Sequence, residues 1–363
     1  MFVLFFSCSF WLQDETWEWS LPEHFPEPPV PQDNPMHIGK VELGRHLFYD
    51  TRLSITASYS CASCHKQELS FTDGLAKSLG ATGERHPRSA MSLANVVYTP
   101  RLTWANTMLE RLEHHVMNPL FGTEHLEMGM EGQEDFIISM YKNDEKMAEL
   151  FRHAFPKEEE PISIETITKA IAAFQRSLIS TNSPYDRFLE GDEEAMNASA
   201  QRGMELFFSE RLECFHCHAG FNFSDSVNHE GKALAEFAFH NNGLYSLDEK
   251  GAYPRGNEGL FDLTHEDGDR GRFRAPSLRN ITVTAPYMHD GSIATLGEVL
   301  DMYADGGRNV TEGDFRGDGR TNPNKSEFIN GFILEEEEKK DVLAFLEALT
   351  DNDFLHDPRF AAP

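Results

Sequence analysis

The sequence predicts a mainly α-helical chain of two similar domains in tandem, with long loops. Three observations carry this. The pattern Cys-x-x-Cys-His occurs twice, as Cys61-Ala62-Ser63-Cys64-His65 and Cys214-Phe215-His216-Cys217-His218. Each copy follows a matching stretch, Gly44-Arg45-His46-Leu47-Phe48 or Gly203-Met204-Glu205-Leu206-Phe207, which reads as a short helix with Leu and Phe on one face. Each half then closes on a second match, Ala173-Phe174 with Leu178 and Ala344-Phe345 with Leu349, again at helical spacing.

In chain order, residues 1–20 read as a leader and tether. Cys8 follows the apolar run Met1 to Ser7, and Phe5-Phe6-Ser7-Cys8 resembles a lipoprotein cleavage box, although no Lys or Arg precedes it. The expectation is a lipid anchor at Cys8, with a plain cleaved leader as the alternative. Either signal takes the chain to the periplasm. Residues 21–35 hold Pro22, Pro26, Pro28, Pro29, Pro31 and Pro35 and should be an extended linker. The first domain runs over 36–185. Thr181-Asn182-Ser183-Pro184 and the acidic stretch from Glu190 mark the boundary, and the second domain runs over 186–355. Residues 220–275, rich in Gly, Asn and Asp, should be long loops with at most short strands.

The 363 residues suit two ordinary domains, and 40% hydrophobic content supplies a core. The net charge of −28 argues against nucleic-acid binding, which needs a basic footprint. It favours a basic or neutral partner, or simply solubility. Runs such as Glu158 to Glu160 and Glu335 to Glu338 read as solvated surface.

The two motifs carry the chemistry. Two thiols spaced three residues apart can add to the two vinyl groups of a haem, and the next histidine then sits beneath the iron. Cys61, Cys64, Cys214 and Cys217 are thus candidate attachment residues for two covalent haem c groups, and His65 and His218 candidate iron ligands. A zinc or dithiol redox site would leave the histidine after both pairs unexplained. The halves then read as cytochrome c-like domains, because a flat apolar ring must be sandwiched between helices.

Further segments resemble the bacterial di-haem cytochrome c peroxidase and MauG superfamily from about Pro35 to Asp351. The most specific are Phe273-Arg274-Ala275-Pro276-Ser277-Leu278-Arg279-Asn280, Thr284-Ala285-Pro286-Tyr287-Met288-His289-Asp290-Gly291 and Thr295-Leu296. Asn118-Pro119-Leu120-Phe121-Gly122 and Leu126-Glu127-Met128-Gly129 are most similar to the MbnH-type enzymes. The resemblance implies roles for particular residues. Glu127 matches the family's glutamate over the open face of the N-terminal haem, where it would move a proton between the peroxide oxygens. Trp104 matches the tryptophan between the haems. Tyr303 is the ninth residue from Thr295 and matches the sixth ligand of the C-terminal haem in MauG-like enzymes. Its neighbour Met302 is the alternative, since respiratory peroxidases use a methionine. A phenolate stabilises oxidised iron, whereas a thioether favours Fe(II).

Ala81 stands where respiratory peroxidases carry a gating histidine, which implies an N-terminal haem open at rest; His86 is the nearby substitute. A calcium ion is also implied, with Ser89 where the family has an asparagine ligand and backbone carbonyls at 274–276 as further donors. His289 lies in a family motif near the second haem, and His114, His115 and His125 read as surface or packing residues.

The expected function is a hydrogen-peroxide-dependent oxidoreductase. It would form a high-valent di-haem state that oxidises an aromatic residue, a tryptophan, of a partner protein. The alternative is a periplasmic peroxidase fed by a small cytochrome c or cupredoxin. A plain electron carrier would need both irons permanently six-coordinate.

Overall fold

The computed structural model describes residues 16–363, and the Cys8 reading lies outside them. Helices dominate, and the sheet among the described residues is two small antiparallel strand pairs, β1 Phe239–His240 with β2 Phe273–Arg274, and β3 Asn309–Val310 with β4 Gly317–Asp318.

The first lobe is built from α1 Ile38–Tyr49, α2 Cys61–Cys64, α3 Leu112–Phe121, α4 Glu134–Lys142, α5 Glu145–Ala154 and α6 Ile164–Ser177. Its core gathers Leu43, Leu47, Phe48, Phe71, Phe151, Ile171 and Phe174. The second lobe follows with α7 Pro184–Leu189, α8 Ala198–Phe207, α9 Phe215–His218, α10 Phe261–Thr264, α11 Leu296–Ala304 and α12 Glu336–Glu347. Its core gathers Phe207, Phe223, Leu300, Phe345 and Leu349.

The internal repeat is a packing device. α1 crosses α6, and α8 crosses α12, as the most extensive helix pairs of their lobes. At each crossing a glycine meets the partner's backbone. A Cβ on Gly44 would stand 2.0 Å from the Ala170 carbonyl oxygen, and one on Gly203 would stand 1.8 Å from that of Asp341. Both carbonyls lie four residues before the matched Phe174 and Phe345. Only glycine permits so close an approach, and the closeness brings both phenylalanines into the core.

The repeat also includes a pair that the sequence reading did not single out. Asn95 and Asn280 both hold left-handed backbone (φ 57° and 59°), a conformation asparagine tolerates. The Asn95 amide donates to the Leu178 carbonyl at 2.8 Å, and that of Asn280 to Leu349 at 3.0 Å.

Two segments depart from the expected boundaries. The Pro-rich stretch is part of the globular body, which begins before Pro35. Phe25 is buried against Tyr98 and Phe221, and the Arg279 guanidinium lies 4.6 Å from its ring centroid. Proline blocks helix and strand here without preventing an extended chain from packing through single side chains. At the other end, α13 Asn352–His356 turns back to the first lobe, where Phe354, Leu355 and Phe360 join its core.

Candidate haem site

One continuous cavity runs along the seam between the lobes, and both Cys-x-x-Cys-His motifs line it. The four cysteines form no disulfide. Burial pushes the thiols of Cys61, Cys64 and Cys214 up to about 12, so they stay protonated.

Each motif histidine is held by the loop that follows it. The His65 Nδ1–H donates to the Phe71 carbonyl at 2.7 Å, and that of His218 to the Phe223 carbonyl at 3.0 Å. This fixes the tautomer that leaves Nε2 as a lone-pair donor. Both phenylalanines hold left-handed backbone (φ 60° and 48°), at a cost of about 1–2 kcal/mol each for a residue with a Cβ. Two copies of one strained carbonyl, each aimed at a histidine, mark a shared requirement.

The cavity fits a haem at each motif. Around the first, Leu112, Val116, Leu120 and Ile171 supply an apolar wall; around the second, Phe207, Leu278, Leu300 and Phe328 do so. Several buried polar atoms of the lining, including Ser78 Oγ, Gln175 Oε1 and His289 Nε2, have no protein partner among the described residues. Polar substituents or water accompanying a haem would satisfy them.

Glu127 lines the cavity near the first motif. Its backbone carbonyl accepts from the Ala81 amide at 2.6 Å. A Cβ on the neighbouring Gly80 would stand 1.9 Å from the Leu126 carbonyl oxygen, so these two loops lie in direct contact. The side chain keeps 42% of its surface accessible because it faces the opening. The protein around it still desolvates the carboxyl and pushes it up to about 7. His86 and His125 line the same region, their rings 5.6 Å apart.

Trp104 lies at the seam. Its Nε1–H donates to the Ser89 carbonyl at 3.0 Å, and its own carbonyl accepts from the Arg274 amide at 2.9 Å. Ser89 Oγ donates to the Met288 carbonyl at 3.2 Å.

The helix cap explains why Tyr303 rather than Met302 reaches the cavity. Thr295 caps α11 in a reciprocal box with Glu298, which fixes the phase of the helix. Leu296, Val299, Leu300 and Tyr303 then form one stripe at i, i+3, i+4 and i+7, and all four line the cavity. Met302 is turned off that stripe into a third core cluster with Leu244, Tyr253 and Phe273. Asn242 Nδ2 lies 3.5 Å from the Tyr303 hydroxyl.

The sequence reading undervalued His115 and His125, which line the cavity, while His114 is exposed. The signal for His115 was present: Leu112, His115, Val116, Pro119 and Leu120 form one helical stripe, and His114 lies off it. Gln175 and His240 were missed altogether. His240 reaches the cavity from the short strand β1 and pairs with Asp225 at 2.5 Å, which no local pattern announces. His289 is buried, and desolvation pushes its imidazole down to about 3, so it stays neutral.

Comparison with known proteins agrees with this architecture. The family model for di-haem cytochrome c peroxidase matches residues 39–194. The methylamine utilization protein MauG of Methylorubrum extorquens is 34% identical over 321 residues, covering 88% of this chain and 81% of that protein. The cytochrome-c peroxidase IdrP1 of Pseudomonas sp. strain SCT is 33% identical, covering 92% of this chain and 86% of that one. Among solved structures, a MauG-like protein associated with microbial copper homeostasis superposes with a TM-score of 0.94 at 48% identity, covering 96% of this chain and 99% of that chain. The di-haem peroxidase BthA of Burkholderia thailandensis shares the fold, with a TM-score of 0.68 at 19% identity over 91% of each chain. With two attachment motifs on one apolar seam and relatives matched over most of its length, the chain belongs to the di-haem cytochrome c peroxidase and MauG family of oxidoreductases.

Proposed function

We propose that this protein is a peroxide-dependent oxidoreductase of the MauG-like kind, acting in the periplasm on an aromatic side chain of a partner protein. The observation that carries the reading is the presentation of Tyr303, and not Met302, to the cavity at the second motif. A hard phenolate favours a haem that holds an oxidising equivalent over one that waits to give an electron. Among the described residues no helix is long and apolar enough to cross a membrane.

The residues have distinct tasks. Cys61, Cys64, Cys214 and Cys217 would attach the two haems, and His65, His218 and Tyr303 would ligate iron. When bound, the haems accept the two oxidising equivalents of hydrogen peroxide. Glu127 takes a proton from one peroxide oxygen and returns it to the other, which leaves as water. Its carboxyl, raised to about 7, suits transfer in both directions near neutral pH. Trp104, held through Ser89, would carry electrons between the two haem sites. A calcium ion on backbone carbonyls beside Ser89 belongs to the same proposal, with metal analysis of the purified holoprotein as its test. The 48% identity to a MauG-like protein associated with microbial copper homeostasis supports a partner that handles copper, and the resemblance to MbnH-type enzymes implies a tryptophan as its target residue.

A respiratory peroxidase fed by a small redox protein is the second reading, supported by His86, a candidate gate that lines the cavity. One experiment separates them. Hydrogen peroxide is added to the fully oxidised holoprotein while visible and near-infrared spectra are recorded. The MauG-like reading expects both haems to change at once. No change until one electron has been supplied overturns it in favour of the peroxidase.

A further inference from the structure

The third core cluster, at the seam beside Trp104 and Tyr303, contains a ladder of rings with no task in the chemistry above. Its inner end is Trp104. The His289 ring meets Trp104 edge-on with centroids 6.4 Å apart, and lies flat on Phe273 at 3.7 Å and 13°. Tyr253 comes next, 6.3 Å from His289 and 6.2 Å from Phe273. Tyr245 stands edge-on to Tyr253 at 5.5 Å. Phe315, 45% exposed, stands edge-on to Tyr245 at 5.8 Å. The rings come from segments spread between Trp104 and Phe315, and together they join the space between the haem sites to the surface.

Not every rung can lose an electron. Phenylalanine and neutral histidine are too hard to oxidise, so the rungs that count are Trp104, Tyr253 and Tyr245. A buried tyrosine gives up an electron only if its proton leaves with it, because a phenol radical cation is strongly acidic and poorly solvated there. The two tyrosines differ on this point. The Tyr253 hydroxyl donates to the amide oxygen of Asn241 at 2.9 Å, and an amide is a poor base. The Tyr245 hydroxyl donates to the carboxylate oxygen Oδ2 of Asp290 at 2.8 Å, and both side chains are buried. Burial pushes the Tyr245 phenol up to about 12, so it holds its proton until it is oxidised.

We propose that Tyr245 is a one-electron relay between Trp104 and the partner's aromatic side chain, with Asp290 as its proton acceptor. This rests on the peroxide-dependent reading above. Tyr245 loses one electron, which tunnels past Tyr253, a bridge that is not itself oxidised, to Trp104 and on to the oxidised haem pair. Its phenolic proton crosses to Asp290. An electron from the partner's ring, reached at the Phe315 end, then restores Tyr245, and the proton returns from Asp290. Two such passages, with two protons from the partner and solvent, supply the two electrons that turn one hydrogen peroxide into two waters.

The test uses the holoprotein alone, grown with ring-deuterated tyrosine or ordinary tyrosine. It is mixed with hydrogen peroxide, freeze-quenched over a time course and examined by electron paramagnetic resonance, with visible spectra of the same samples. The expected result is a radical signal that narrows on tyrosine deuteration. The signal is lost in Tyr245→Phe, which keeps the ring, and its yield drops several-fold in Asp290→Asn. The relay is overturned if the haems react but no tyrosyl signal forms, or if the same signal persists in Tyr245→Phe. If peroxide leaves the visible spectrum of the oxidised protein unchanged, the relay falls together with the reading it rests on.

Discussion

The Nε2 of His86 stands 4.0 Å from Oε1 of Glu127, and both side chains line the cavity near the first haem motif. His86 Nδ1 lies 3.2 Å from the Arg88 amide and 3.3 Å from the Arg88 carbonyl, so the Arg88 backbone holds the ring with Nε2 toward the glutamate. His86 is thus arranged as a neighbour of the acid–base group. In His86→Ala, the oxidised protein is expected to react with peroxide without prior reduction, as stopped-flow spectra would record. A variant that begins to react only when His86 is removed would identify it as a gate.

Glu127→Gln removes the proton shuttle and keeps the shape. The rate of the peroxide reaction should fall by roughly 10²- to 10⁴-fold, the usual contribution of a positioned acid–base group. In the unaltered protein the ionised carboxylate is the form that accepts the first proton. With the carboxyl raised to about 7, the rate should climb as pH rises through about 7 and then level. A flat profile from pH 5 to 9 would count against this role.

At the second motif, Tyr303→Met should raise the midpoint potential of one haem by on the order of 100 mV or more, measured by spectroelectrochemistry. Met302→Leu should leave that potential unchanged, and it should cost under about 1.5 kcal/mol of stability as a volume-conserving core swap. The opposite pattern would make Met302 the ligand.

Gly203→Ala tests the helix crossing. Alanine should help an isolated helix by about 1 kcal/mol. Here its Cβ would stand 1.8 Å from the Asp341 carbonyl oxygen, so α8 and α12 must separate. A net loss of about 1–3 kcal/mol is expected in denaturant unfolding, and Gly44→Ala should behave alike. A stabilised variant would refute the packing account.

Arg279 is fully buried and makes paired bonds to Asp186 at 2.8 and 2.9 Å. Asp186→Ala leaves that guanidinium buried with its charge unmatched and should cost about 3–5 kcal/mol. Burial alone would raise the Asp186 carboxyl, but the Arg279 charge wins and holds it at about 2, below the usual 3.8. The stabilisation is therefore complete above about 3.8 and is lost as pH falls through about 2. Unfolding measured between pH 5 and 2 should show this loss in the unaltered protein and not in Asp186→Ala.

Much of the molecule was written locally. The Cys-x-x-Cys-His spacing names the attachment residues because the chemistry itself is local, and the Gly-x-x-Leu-Phe repeat marks helices that must cross closely. Thr295 with Glu298 sets the phase of α11, so the choice between Tyr303 and Met302 was in principle countable along the chain. Other features arise from contacts between residues far apart in sequence. His240 reaches the second motif from the two-residue strand β1, whose place no periodicity describes, and Phe25 anchors a Pro-rich strap through one ring. The Tyr245–Asp290 pair and the ladder leading to Trp104 exist only because segments from residue 104 to residue 315 converge on the seam. The sequence by itself determined the helices and the residues able to hold two haems, because helical phase and thioether chemistry depend on neighbours a few positions apart. Only the tertiary structure decided which buried groups face one another across the seam, because long-range packing sets their distances and their desolvation.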